Sequence, residues 1–481
     1  MLLVTMVIYL AVVLAIGVLA ERRTRSETDF LLGGRRTGAL VAAVGAAASS
    51  SSAWTLLGVS GAAYAWGLAA MWLFPACVGG FALNWFVLAP ALRRLSHREG
   101  PASVPDILAS RASGSTRQAL VGLAAGIILL SLGAYVASQF QGAGKTFHAV
   151  FDVPAWQAVL IGAGVILAYT MLGGFLAVSL TDTLQGLVMA ATAVVLPVAA
   201  LVEVGGFGGL WDELAALHLD GYLALGGPRP TVLGMGFAAG LLGIGFGYTG
   251  QPHVVKYFLA LSNNEQTIIR GRRIALGWAV IVYGGMILLG LCGRALFPEL
   301  ADKETVLAVT ARALFHPVVA GVMLSAVLSA MMSTADSQLL VASGVVTHDL
   351  GLAQRWTSLW PSRATVAVLT LGGALAALFG SEEIFSRVLF GWAAMGAGFG
   401  PLLIVRVVLQ RQLSSGWTLV VMALGFGLAA GAHIFYNSVS SVAAFRGVFI
   451  HVIPFGLALG VAWWASFMPE RSLSVQQSSQ G

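Results

Sequence analysis

In the stretch "LSAVLSAMMSTADSQLLVAS", Ala330, Ser333, Thr334 and Ser337 recur at i, i+3, i+4 and i+7, and so share one face of a helix. Two adjacent hydroxyls on an otherwise apolar helix can bond back to their own ladder. They also suit a hard cation such as sodium, which prefers hydroxyl and carbonyl oxygen to nitrogen or sulfur. A second stretch, "AAASSSSAWTLLG" at 46–58, sets four consecutive serines inside an apolar segment. Their hydroxyls compete with the helix ladder, so a break is expected around Ala48 to Ser51, and it would free carbonyls to complete a cation shell. Two acids, Asp182 in "GGFLAVSLTDTLQG" and Asp336 in "STADSQ", also fall in apolar segments. An Asp within a membrane costs roughly 2.5–3.5 kcal/mol even on the lenient insertion scale, so it has an ion or a partner, or else it caps a helix end. Asp336 stands about 60° round the helix from Ser333, flanking the hydroxyl face.

The elements that must position these groups follow from composition. The 481 residues are 58% hydrophobic and only 10% charged, with a mean hydropathy of +0.87, against about 25% charged in an average soluble domain. This is a polytopic membrane protein. Glycine, 60 of the residues, is the residue of close helix approach in membranes, which favours a helical bundle over a barrel. Cys77 and Cys292 both lie in apolar runs and form no disulfide or metal framework.

Apolar runs of about 20 residues give thirteen candidate spans, near 1–20, 38–62, 67–92, 118–145, 154–171, 175–203, 232–255, 274–296, 317–347, 363–380, 384–409, 415–437 and 447–468. No Lys or Arg precedes the first span and "ERRTR" follows it, so the N-terminus is expected outside and the C-terminus in the cytoplasm. Of the 26 basic residues, 19 then fall on the inner side, as the positive-inside rule requires. The loop at 204–231 contains "GGLWDELAALHLDGYLALGG", which reads as a short interfacial helix between glycines. The tail "SLSVQQSSQG" reads as disordered, and no soluble catalytic domain is expected.

With the first span set aside, the next ten form two groups of five. An odd number per group inverts the second relative to the first. Transporters built this way place substrate and ions at the midplane, where helices in corresponding positions are interrupted. The serine run opens the first group, and "GLLGIGFGYTGQPH" at 240–253, with five glycines and a proline, opens the second. Both are expected to break; close packing of small residues is the alternative use of the same composition.

These residues bring out a family pattern. The sequence resembles the sodium/solute symporter family, and within it the sodium/proline symporters, through "TDFLLGGRRTG", "SVPDILASR", "AYVASQFQGAGK", "YTMLGGFLAVSLTDTLQG", "GYTGQPHVVKYF", "MMSTADSQLLVAS" and "GAGFGPLL". The resemblance spans nearly the whole chain. It implies an all-α fold of the leucine-transporter type: an added N-terminal helix (1–20), two inverted five-helix repeats (38–203 and 232–409), two C-terminal helices (415–468) and a cytoplasmic tail (469–481). It implies a sodium site formed by the carbonyls of Ala48, Ser51 and Ala330 with the hydroxyls of Ser333 and Thr334. A second sodium site would map onto Asp182, Ser333, Asp336 and Ser337, with Asp336 where such relatives have a hydroxyl. On the solute side, Trp54, Tyr248 and Pro252 match pocket positions, and Gln139 is a pocket polar group. Two departures stand out: Ser50 where proline symporters have an acid tied to sodium, and Ile244 where they have a tryptophan.

The function expected is sodium-driven import of a small solute, foremost an amino acid such as proline, across the plasma membrane, in a bacterium the inner membrane. Sodium is the coupling ion, and no nucleic acid or obligate protein partner is implied. Other readings are proton coupling, a carboxylate, sugar or vitamin as solute, or a sensor or channel of the same fold. An intramembrane aspartyl protease is disfavoured, because its two acids occur in motifs resembling YD and GxGD, whereas these lie in "LTDT" and "STADS". His253 reads as a packing residue rather than a proton relay.

Overall fold

The computed structural model describes residues 2–21, 27–151, 153–352, 360–379, 384–438 and 444–468. The tail at 469–481 and Arg22, Arg23, Arg25, Arg355 and Arg471 lie outside the described residues. Among those described, regular structure is helical apart from one isolated bridge between Thr37 and Leu261. The first group of helices comprises α1 (Leu2–Glu21), α2 (Glu27–Leu32), α3 (Ala39–Ser50), α4 (Val59–Trp66), α5 (Leu73–Leu83), α6 (Ala89–Glu99), α7 (Val104–Ala109), α8 (Gly114–Phe151) and α9 (Ala155–Glu203). After the short α10 (Gly206–Ala216) come α11 (Thr231–Gly243), α12 (Pro252–Leu259), α13 (Glu265–Leu296), α14 (Val306–Leu314), α15 (Pro317–Gly344), α16 (Trp360–Phe379), α17 (Ile384–Leu403), α18 (Ser415–Ser438) and α19 (Ile453–Ala465).

Ten helical stretches among the described residues are long and apolar enough to cross a membrane, and Val4–Ala20, Ala39–Ser50 and Trp156–Ala168 are shorter apolar helices. Ala39–Ser50 is short because the helix is cut after Ser50. α9 is continuous over 49 residues, which at about 1.5 Å per residue would be more than twice the hydrocarbon thickness if straight. It is broken at Gly174, with φ 57° and ψ −151°, between the spans read at 154–171 and 175–203. The helical run Trp54–Glu99 is likewise broken at Gly67, with φ 61° and ψ −138°.

The core centres on α15. Every residue from 323 to 345 is buried, and the helix packs on α9, α8, α3, α16 and α1. α13 runs against α4, α9, α3 and α5. It approaches their backbones closely: a Cβ at Gly285 would lie 2.0 Å from the carbonyl of Ala193, and one at Gly290 would lie 2.2 Å from that of Ser60. α10 presents Phe207 and Trp211 outward, as an interfacial helix does.

Segments read as cytoplasmic converge at one end. Arg35 donates to Ser96 Oγ (2.9 Å) and to the carbonyls of Gly100 (2.7 Å) and Pro101 (3.2 Å). Ser96 Oγ donates to the carbonyl of Leu259 (2.6 Å), and Arg406 donates to the Leu108 carbonyl and to Ser110 Oγ. At the other end, Tyr222 accepts from Leu68 N (2.9 Å) and donates to the Ala63 and Tyr64 carbonyls. A Cβ on Gly67 would meet the Tyr222 carbonyl at 2.1 Å. Gly67→Ala combines that overlap with a backbone conformation reserved for glycine and is expected to lose on the order of 3 kcal/mol of stability. Thermal unfolding of the purified protein checks this against Gly122→Ala, where an added Cβ meets open space.

Candidate functional site

Both expected interruptions are present. α3 ends at Ser50; Ser51 has φ −117° and ψ 83°, and helix resumes at Ala53. In the second group, α11 passes into a 3-10 segment, Ile244–Gly250, which stops at Gln251 with φ −82° and ψ 109° before α12 begins at Pro252. Proline at the first helical position loses nothing, since its missing N–H would be unpaired there.

The serines hold the first break in different ways. Ser50 Oγ donates to the carbonyl of Ala47 (3.0 Å), Ser51 Oγ contacts Tyr283 OH (3.4 Å), and Ser52 Oγ accepts from Trp54 N (3.2 Å) and Tyr135 OH (3.3 Å). The amide freed at Ala53 donates to Gln139 Oε1 (3.0 Å), while Gln139 Nε2 donates to Ser138 Oγ (3.0 Å). Gln139 thus meets the break through its amide oxygen, while its amide nitrogen bonds within α8. Gln251 serves the second break as a donor, its Nε2 bonding the carbonyls of Gly247 (2.8 Å) and Trp392 (3.1 Å).

The hydroxyl face of α15 meets the first break. Ser333 Oγ lies 3.2 Å from the Ala48 carbonyl and 3.3 Å from that of Ala330. Thr334 Oγ1 is buried and has no hydrogen-bond partner among the described residues. Two carbonyls, a shared hydroxyl and an orphaned hydroxyl form a donor set that fits a small hard cation. One turn along, Ser337 Oγ donates to Asp182 Oδ2 (3.0 Å), which also accepts from Tyr257 OH (2.5 Å). Asp182 Oδ1 is buried without a hydrogen-bond partner among the described residues. Asp336 is fully buried, beside Ser337 on α15. Tyr9 OH, on α1, is 2.5 Å from Ser329 Oγ.

Beside the breaks lies an aromatic cluster that sequence reading found only in part. Tyr248 OH is 2.7 Å from Tyr283 OH, and the Trp54 ring stands 6.3 Å from that of Tyr283. Trp392 packs edge-on to Tyr248 at 4.6 Å and donates Nε1 to the Ile244 carbonyl (3.1 Å). Phe81 lies 5.2 Å from Tyr248. His253 is buried 6.4 Å from Tyr135, with neither ring nitrogen hydrogen-bonded among the described residues. Pro252 lines a cavity of about 20 Å³ with Lys256 and His348, room for one water. Tyr283, Trp392, Phe81 and Gln251 were not singled out from the sequence. The available signal was an aromatic carrying a polar hydrogen inside an apolar span, which needs a partner when buried.

Beyond the cavity, α7 is tied to the end of the helix carrying the hydroxyls. Ser103 and Asp106 form a capping box at α7: Asp106 N donates to Ser103 Oγ (3.0 Å) and Ala102 N to Asp106 Oδ2 (3.3 Å). His348 Nε2 is 3.1 Å from Asp106 Oδ2, and Ser103 Oγ donates to Asp349 Oδ1 (2.7 Å). Burial pushes the Asp106 carboxyl up, but the hydrogen bond and charge of His348, the Ala102 amide and Arg117 outweigh it and hold the group below its ordinary value. A carboxylate depressed on folding stabilises the fold above its unfolded pKa and loses that contribution as pH falls through the folded one. The Asp106 carboxylate therefore makes its full contribution at neutral pH.

A sequence profile of the Sodium:solute symporter family matches residues 30–425. The high-affinity proline transporter PutP of Bacillus subtilis is 34% identical over 416 residues, covering 84% of this chain and 86% of that protein. The sodium/proline symporter of Escherichia coli is 33% identical over 431 residues, covering 86% and 84%. Among solved structures, a substrate-bound, outward-open Na+-coupled sialic acid symporter superposes with a TM-score of 0.76 at 17% identity, over 97% of this chain and 98% of that one. A nucleobase-cation-symport-1 family transporter in a closed conformation gives 0.56 at 13% identity, over 91% and 94%. At these identities the structures speak for the fold.

Gln139→Leu leaves the Ala53 amide buried without its acceptor and is expected to lower stability by about 1–3 kcal/mol. The midpoint of thermal unfolding is the measurement, and an unchanged midpoint would remove Gln139 from the support of the break.

Proposed function

Because the chain belongs to the sodium:solute symporter family, we propose that it couples sodium entry to uptake of a small amino acid, foremost proline, by alternating access. The family is one of transporters, not catalysts. The observation that carries the reading is the Ser333 hydroxyl shared between the Ala48 and Ala330 carbonyls, beside the orphaned Thr334 Oγ1. Ala48, Ser51, Ala330, Ser333 and Thr334 would hold one sodium and so bridge α3 to α15. Asp182 and Ser337, already in contact, would with Asp336 take a second.

The solute would lie among Trp54, Tyr248 and Tyr283, with His253 as a buried polar contact. Trp392 furnishes the aromatic surface that Ile244 lacks. Half-helices starting after each break would turn their positive ends toward a carboxylate. Ser50 donates to its own helix, so this position contributes no carboxylate to coupling. The thirteen-span architecture belongs to the same proposal: an extra N-terminal helix, inverted repeats over 38–203 and 232–409, two C-terminal helices, N-terminus outside and C-terminus in the cytoplasm of the plasma membrane.

One sodium moving down 100 mV supplies about 2.3 kcal/mol, and a tenfold gradient adds about 1.4 kcal/mol. Together they support roughly 500-fold accumulation of a net-neutral solute.

The test is uptake of labelled proline by reconstituted protein under an inward sodium gradient, set against potassium and against a proton gradient alone. Ser333→Ala with Thr334→Ala is expected to raise half-saturating sodium roughly 30-fold, two ligands at about 1 kcal/mol each. Unchanged sodium dependence would remove these residues from the ion site. Asp182→Asn is expected to convert a sigmoidal dependence of uptake on sodium into a hyperbolic one, which a single-site carrier would not show. Uptake driven by protons and indifferent to sodium would transfer the coupling role to the two aspartates.

A further inference from the structure

The arginine-rich end of the bundle carries a cleft of about 610 Å³ between the end of α6, the turn joining α7 to α8, and the residues that follow α17. Arg94, Arg98, Arg111, Arg117, Arg406 and Arg411 line it, against two carboxylates, Glu99 and Asp106. Both carboxylates are engaged within the cleft, Glu99 by Arg98 at 2.6 Å and Asp106 by Arg117 at 3.3 Å. The other four arginines form no ion pair among the described residues. Insertion topology accounts for which side basic residues occupy, but not for the convergence of six from separate elements on one concave surface.

The surroundings indicate what the surplus charge meets. Arg406 is half-buried and fixed by its bonds to the Leu108 carbonyl and Ser110 Oγ. Arg411 lies 4.6 Å from the ring centre of Phe467 and 5.6 Å from that of Trp463. Those two rings and Trp464 are exposed at the end of α19, and exposed aromatics at a helix end mark headgroup depth. The cleft therefore opens where lipid phosphates lie, and basic pockets between helices at that level suit acidic headgroups.

We infer that this cleft seats the headgroup of an anionic phospholipid, its phosphate held by the guanidinium forks of Arg94, Arg111 and Arg406, with Arg411 closing the side toward the bilayer. Its walls come from both groups of five helices, so an occupant ties their ends together.

The test is retention of phosphatidylglycerol against phosphatidylcholine by the purified full-length protein, counted by native mass spectrometry, which does not depend on the solute or the coupling ion. The wild type is expected to retain phosphatidylglycerol preferentially. Arg94→Gln with Arg111→Gln, both exposed residues, is expected to bind it about 30-fold more weakly, two charges at about 1 kcal/mol each. Arg270→Gln with Arg273→Gln, which removes the same charge outside the cleft, is expected to leave retention unchanged. Equal retention by the first variant, an equal loss in the second, or displacement of the lipid by inorganic phosphate alone would each overturn the assignment. Unchanged thermal unfolding of the first variant assigns the loss to the seat rather than to the fold.

Discussion

A helix that stops inside a membrane bundle must have its loose backbone groups met by other parts of the protein, and the centre of this molecule is arranged around that requirement. α3 stops at Ser50, and the buried groups at its end are answered from opposite sides: the Ala48 carbonyl accepts from Ser51 N and from Ser333 on α15, and the Ala53 amide donates to Gln139 on α8. On the proposed function, a cation and a solute would both border these groups. Sequence, backbone geometry and candidate site are one problem here.

The second interruption extends this logic. Gln251 Nε2 links the Gly247 carbonyl before its own break to the Trp392 carbonyl on α17, and Trp392 both caps Ile244 and faces Tyr248. Tyr283 on α13 then links Tyr248 to Ser51 and Thr55. The two broken helices thus share a hydroxyl chain through Tyr283, and they also pack directly, with Tyr257 on α12 against Gly45 on α3. Asp182 stands just outside this chain, tied to Tyr257 and Ser337.

What was legible in the sequence was whatever has a local signature. Apolar runs fixed the helices because lipid tolerates little else, and the i, i+3, i+4, i+7 pattern placed Ser333 beside Ala330 correctly. The serine run announced a break because hydroxyls that compete with the ladder are adjacent in the chain. Gln139 was read as a pocket residue, and its bond to the break was not foreseen, because its partner at Ala53 is 86 positions away. Tyr283 and Trp392 were missed for the same reason, the latter meeting Ile244 across 148 positions. The 49 residues of α9 show the converse: two spans were read, and the structure joins them through a single non-helical glycine.

The direction of the Ser333 hydroxyl bears on the proposed cycle. In donating toward the Ala48 and Ala330 carbonyls, the hydroxyl ties α15 to α3 by a weak bond that a cation at the proposed site would have to displace. A symporter must reset without its cargo on every turnover, and a centre that flew apart when emptied would either stall or leak. On the proposed cycle, the rotation of one hydroxyl is the difference between the loaded and the returning machine.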